Sequence, residues 1–119
     1  MDRQALGMEA ERTAEAWLIN QGLQLIQRNM RCRVGEIDLI MFDHEALIFF
    51  EVRYRSHPSY GSAAESVNWQ KQRKILRAAR FFLAANPSWS NFPCRFDIIA
   101  FEGDNTPIWY RNAFQNYAL

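Results

Sequence analysis

The run Leu47-Ile48-Phe49-Phe50 leads straight into Glu51-Val52-Arg53. Such an apolar run is typical of a strand buried on both faces, which needs cover from both sides. A carboxylate at its end is out of place unless something there uses it. Thirteen residues before Glu51, Asp38 stands inside a second strand-like segment, Gly35-Glu36-Ile37-Asp38-Leu39-Ile40, although aspartate is a poor strand former. Side chains alternate across a strand, so Glu36 and Asp38 are expected on one face, and likewise Glu51 and Arg53. If the two segments pair as a hairpin through the short turn Asp43-His44-Glu45, three carboxylates and a guanidinium are expected to converge near one spot. Desolvating each ion costs on the order of several kcal/mol. A hard divalent cation is the usual reason for such a gathering; magnesium is typically held by one or two carboxylates plus substrate phosphate oxygens. The competing structural explanation is an ion pair of Glu51 with Arg53 or Arg55.

Two further charged residues stand on faces that should pack. In the first helix Gly7, Glu11, Ala14 and Leu18 form one column, so Glu11 falls on the side that meets the sheet. It is either half in solvent near the helix end or aimed at something positive. Lys71 precedes Ile75, Ala79 and Leu83 at steps of four and extends the buried stripe of the second helix; snorkelling explains it equally well.

Charge is unevenly distributed behind a net value of +1. Val52 to Arg80 holds seven basic residues (Arg53, Arg55, Lys71, Arg73, Lys74, Arg77, Arg80) against Glu65 alone, whereas residues 1–51 carry nine acids against five bases. An acidic cluster beside a basic stretch suits a metal-dependent enzyme acting on a polyanion, and the small net charge argues against a basic architectural protein.

The 119 residues suit one domain spanning 1–119, and 49% hydrophobic residues are enough for a core. No apolar run approaches the ~20 residues of a membrane helix, and Met1-Asp2-Arg3-Gln4 lacks a signal-peptide pattern. A cytoplasmic address is expected, with Cys32 and Cys94 reduced. His44 and His57 have no partner at ligand spacing, so zinc is not indicated. Neither a phosphate-binding glycine loop nor a nucleophile motif is present.

Periodicity predicts a helix from about Leu6 to Asn20 and strands over Leu23–Arg31, Val34–Phe42 and Ala46–Tyr54. A loop follows over Ser56–Ser62, then a helix over Glu65–Ala85 facing inward through Val67, Ile75, Leu76, Ala79, Phe82 and Leu83. Pro87 and Pro93 bracket an irregular stretch. Cys94–Phe101 is a strand, in which Asp97 reads as the structural partner of Arg95, and Ile108–Asn112 is a short last one. The fold class is α/β, with an α-β-β-β-α-β core whose mixed sheet is flanked by helices.

With this order, Asp38, Glu51-Val52-Arg53 and a helical Glu11, the chain resembles the restriction-endonuclease-like PD-(D/E)XK nucleases. More narrowly, it resembles the YraN family of small bacterial proteins, treated as endonucleases and compared with archaeal Holliday-junction resolvases. The resemblance covers almost the whole chain. It is carried by Glu11-Arg12-Thr13-Ala14 with Trp17-Leu18, Arg28-Asn29, Gly35-Glu36-Ile37-Asp38-Leu39-Ile40, Phe50-Glu51-Val52-Arg53, Val67 with Lys71, and Arg95-Phe96-Asp97. It implies that Asp38 and Glu51 ligate Mg²⁺ or Mn²⁺, that Glu11 completes the metal site from its helix, and that Glu36 supports it. Position 53 departs from the pattern, which wants lysine. Arginine can stabilise charge on a phosphoryl group but effectively cannot lose a proton. Lys71 is the candidate for the displaced lysine.

The resulting expectation is a divalent-metal-dependent endonuclease hydrolysing DNA phosphodiesters at branched or Holliday-junction-like structures. Arg55, Arg73, Lys74, Arg77 and Arg80 would contact DNA, with Asp38, Glu51, Arg53 and Lys71 at the chemistry. The alternative is a non-catalytic nucleic-acid-binding or partner-binding module that retains the fold. A homodimer suits a two-fold symmetric junction, with Phe81, Trp89 and Trp109 as interface candidates.

Overall fold

A computed structural model describes residues 3–55, 64–103 and 106–114, with side chains from residue 7 on. Helix α1 (Arg3–Asn20) is followed by strands β1 (Gln24–Cys32), β2 (Gly35–Phe42) and β3 (Leu47–Arg55). Helix α2 (Trp69–Ala85), β4 (Cys94–Glu102) and β5 (Ile108–Phe114) follow. The five strands form one sheet in the order β1-β2-β3-β4-β5. Pairing is antiparallel except between β3 and β4, which run parallel because α2 carries the chain across between them. Among the described residues, no helix is long and apolar enough to cross a membrane.

The double-sided burial expected of β3 is found. Leu47, Ile48, Phe49 and Phe50 are each at most 1% exposed. Ile48 and Phe50 pack with Ala10, Ala14 and Leu18 of α1, while Leu47 and Phe49 pack with Ile75, Ala78, Ala79 and Phe82 of α2. The described residues therefore form three layers with a core on each side of the sheet.

Most expected elements fall within one or two residues of their observed bounds, but α2 starts later than the sequence suggested. Ala64–Ser66 forms a short 3-10 turn. Asn68 then caps α2 by accepting the Lys71 N–H at 2.9 Å through its side chain, so Glu65 lies outside the helix. The residues between Pro87 and Asn91 are also a 3-10 turn. The expected Ser56–Ser62 loop lies outside the described residues.

Strict alternation fails at Asp38. Ile37 belongs to the core under α2, whereas Leu39 and Met41 belong to the core under α1. The neighbouring strand switches with it: Arg28 reaches Glu15 of α1, while Met30 packs under α2. Between them Asn29, flanked by the pairs Arg28–Leu39 and Met30–Ile37, has φ 51°. Asparagine tolerates this left-handed conformation better than most residues. Glu36 and Asp38 therefore do not sit on one regular strand face, and the local twist turns Asp38 toward the end of β3.

Candidate functional site

The site lies where β2 and β3 stop pairing. Their register runs Phe42–Leu47, Met41–Ile48, Ile40–Phe49 and Leu39–Phe50, and the next facing residues are Asp38 and Glu51. There the ladder gives way to a side chain: Asp38 Oδ2 accepts the Val52 backbone N–H at 2.8 Å. The Asp38 carboxylate is thereby fixed against β3, beside Glu51.

Glu51 is only 4% exposed, yet it is charged in its ordinary state. Two cations converge on a single oxygen of it. Arg53 Nη2 lies 3.1 Å from Glu51 Oε2, along the same strand face, as alternation requires. Lys71 Nζ lies 3.5 Å from that oxygen and arrives from α2. These cations do not win the electrostatic contest. Burial, then the hydrogen bond and negative charge shared with Asp38, push the Glu51 carboxyl up to about 9, against the pull of Arg53 and Lys71.

Glu11 approaches from the other side of the sheet, on α1. Half-buried, it is pushed up to about 7 by burial and by the charges of Asp38 and Glu36, with Arg31 pulling the other way. Glu11 therefore feels the acidic centre from across the layer; it is half-buried, and its nearby charges are mainly negative rather than the positive partner its helix column left open. Glu36 itself is exposed and pairs with Arg31 at 3.5 Å. A cleft of about 330 Å³ opens beside Glu11, with Arg12, Asn29 and the Glu15–Arg28 pair on its walls. That pair is bidentate, at 2.8 and 2.9 Å.

Among the described residues no three His, Cys, Asp or Glu side chains stand as a preformed metal cage. Asp38 and Glu51 are drawn together, and Glu11 stands at electrostatic reach without joining them. The donor set nevertheless fits a hard divalent cation. Two adjacent carboxylates are the number magnesium usually takes from a protein, and their mutual repulsion is relieved by positive charge. Beside them Arg53 Nε is buried and has no hydrogen-bond partner among the described residues; as a donor it calls for an acceptor and not for the cation.

Of the proposed nucleic-acid contacts, Arg55 is exposed at the end of β3, and Arg73, Lys74, Arg77 and Arg80 are exposed on α2. The Arg95–Asp97 pair is structural, as expected. Asp97 is fully buried and accepts from Arg95 Nε, from Trp109 Nε1 at 2.9 Å and from the Asn112 N–H at 2.8 Å, which ties β5 to β4. Trp109, an expected interface residue, is half-buried, and its ring packs edge-on against Trp17. Trp89 is likewise engaged, against Phe42 and Phe92. Phe81 alone of the three is exposed. Sequence reasoning overlooked the Asn68 cap and the exposed Trp69 beside it. The Asn-Trp-Gln-Lys order, an asparagine just ahead of a helical stripe, was the available signal.

Fold and site together define a small α/β protein with an acidic centre at the opening of its central hairpin, matched by cations from β3 and α2. The chain belongs to the uncharacterised protein family UPF0102, whose family model matches residues 10–101. That range contains Glu11, Glu36, Asp38, Glu51, Arg53 and Lys71. A UPF0102 protein of Alcanivorax borkumensis is 48% identical over 112 residues, covering 91% of this chain and 90% of its own. One from Pseudomonas syringae pv. syringae is 47% identical over 118 residues, with 96% of each chain covered. A third, from Stutzerimonas stutzeri, is 43% identical over 118 residues, with 97% and 98% covered.

Proposed function

We propose that this protein is a divalent-metal-dependent endonuclease that hydrolyses DNA phosphodiester bonds at branched structures, as its resemblance to the YraN and PD-(D/E)XK nucleases implies. The observation that carries the reading is the meeting of Lys71 Nζ with Glu51 Oε2, 3.5 Å apart and contributed by different elements. The nuclease pattern asks for a lysine at the second carboxylate. β3 carries Arg53 there instead, and α2 delivers a lysine to the same oxygen.

Asp38 and Glu51 would hold Mg²⁺ or Mn²⁺, with Glu11 behind them. The bound cation supplies an activated water and neutralises charge building on the phosphoryl oxygens. The chain's own residues do the rest. The Val52 N–H fixes the Asp38 carboxylate in advance, so no ordering is left for the moment of binding. The partly exposed Arg53 guanidinium would meet a phosphate oxygen, and an arginine serves there as charge and not as base. A lysine, unlike an arginine, can exchange a proton, so Lys71 would be the proton-transfer group beside Glu51. The exposed cations of α2 and Arg55 would contact backbone phosphates, which position the substrate without reading its sequence. A two-fold symmetric junction asks for two such sites, so a homodimer belongs to the same proposal.

The test is cleavage of branched, nicked and single-stranded DNA with Mg²⁺ or Mn²⁺, by wild type and by Asp38→Asn and Glu51→Gln. Metal-dependent cutting by wild type alone supports the reading; no cutting of any substrate in either metal refutes it. The Glu51–Arg53 pair favours a second reading, a non-catalytic binding module in which Arg53 neutralises the carboxylate. Calorimetric titration with Mn²⁺ separates the two. Heat that disappears in Asp38→Asn excludes a metal-free scaffold.

A further inference from the structure

Helix α2 carries five basic residues and no acidic one. Its buried side is accounted for by Ile75, Ala78, Ala79 and Phe82. Its outer side is not. Among the described residues, the two most exposed large apolar side chains are Trp69, at 61%, and Phe81, at 52%, and both lie on this helix. With Arg73 and Arg77, also exposed, they occupy one slanting ridge of i, i+4 steps. The ridge is about 18 Å long, at 1.5 Å per residue. A solvated helix face explains arginines; it does not explain an indole and a phenyl ring standing in water at the two ends of them.

We propose that this ridge binds an unpaired strand of nucleic acid, with Trp69 and Phe81 stacking on bases while Arg73 and Arg77 meet the phosphates between them. The inference rests on the nucleic-acid reading of the acidic centre and narrows its substrate to DNA with an unpaired arm. Cations alone would suit a duplex equally well. Aromatic side chains would not, because a duplex hides the faces of its bases, and a single strand offers one π-face per nucleotide. Position is compatible with this reading: Lys71, in the same first turn, touches Glu51 from the inward side, while Trp69 stands on the outer side of that turn. A membrane surface fits less well. An interfacial helix needs a broad apolar face in addition to its charges, and the apolar face of α2 is spent on the sheet.

The experiment is fluorescence anisotropy in EDTA, with a labelled oligothymidylate and a blunt duplex of the same length as probes. Wild type is expected to bind the oligothymidylate more tightly. Trp69→Ala and Phe81→Ala should each weaken that binding by about tenfold, the order expected for one lost base–aromatic stack. Neither should change duplex binding, and Trp69→Phe should restore much of the loss. Arg73→Ala and Arg77→Ala should weaken both probes and each reduce the salt dependence by roughly one unit of slope. Both aromatics are exposed, so these variants do not threaten the cores. Equal affinity for the two probes, or alanine variants indistinguishable from wild type, overturns the inference. So does retention on anionic phospholipid vesicles that is lost in Trp69→Ala while oligothymidylate is ignored. The two proposals fail separately: Asp38→Asn removes cutting and leaves EDTA binding intact, whereas Trp69→Ala alters single-strand binding whether or not the protein cuts.

Discussion

Asp38 Oδ2 takes the Val52 N–H at 2.8 Å, in place of a backbone carbonyl, at the point where β2 and β3 part. One side chain thus closes the hairpin ladder and presents a carboxylate beside Glu51. Its structural and chemical duties can be pulled apart. Asp38→Asn keeps an oxygen for the N–H and loses the charge. It should fold with stability near wild type and lose Mn²⁺ binding and cleavage together. Asp38→Ala leaves the N–H without its acceptor and should cost about 1–3 kcal/mol. Urea denaturation of the two variants checks this; equal losses in both would show that the hydrogen bond is not what Asp38 contributes to the fold.

The strands and their order were legible because apolar residues crowd them and turn residues bound them. The inward direction of Lys71 is legible too, since steps of four from Ile75, Ala79 and Leu83 bring it onto the sheet side; its contact with Glu51 is not. Other features depend on residues distant in sequence, and no local pattern records them. The face switch at Asp38 needs Asn29 across the strand in a left-handed conformation. The start of α2 was placed at Glu65 because the apolar stripe reaches back to Val67, while the Asn68 cap decides the boundary. Gly35, which opens the segment carrying Asp38, stands against the backbone of α2, and nothing in its own strand records that approach.

Glu51 gives the protein a pH-dependent weakness. Its folded carboxyl titrates at about 9 against an ordinary 4.5, so between those values the folded state holds a proton that the unfolded state has lost. Stability from this group is complete below the ordinary value and declines as pH rises toward 9. Glu51→Gln removes the dependence. Thermal melts in EDTA should show the variant gaining on wild type steadily from pH 5 to pH 9, with Mn²⁺ reversing the order at high pH. Parallel curves would mean that Glu51 is as ionised in the fold as out of it. Glu11→Gln should behave in the same sense over a lower window, ending near 7.

Lys71 and Arg53 share one oxygen of Glu51 but differ in what they can do with a proton. Lys71→Met should lower cleavage by about a hundredfold or more, the scale of a lost acid–base group. Lys71→Arg, which keeps the charge, should recover little of it. Under the proposed mechanism Arg53→Met loses a phosphate contact and should chiefly raise KM. Steady-state kinetics on one branched substrate reads these apart. Full activity in Lys71→Met would deny Lys71 any part in the chemistry.

Gly35 links the hairpin to the helix that carries Lys71. A Cβ placed there would come 2.6 Å from the Lys74 carbonyl oxygen and 3.2 Å from its carbon. Neither is the end of a flexible side chain, so the helix or the hairpin must move. Gly35→Ala should therefore destabilise by about 1–3 kcal/mol, the usual cost of overpacking. Because Lys74 lies one turn from Lys71, the same displacement should draw the ammonium away from Glu51 and reduce cleavage beyond what the lost stability explains. The comparison to make is activity at a temperature where both proteins are fully folded. If Gly35→Ala is as stable as wild type, the close approach is not what holds the hairpin to α2. If it is less stable but fully active, the position of α2 is not what sets the chemistry.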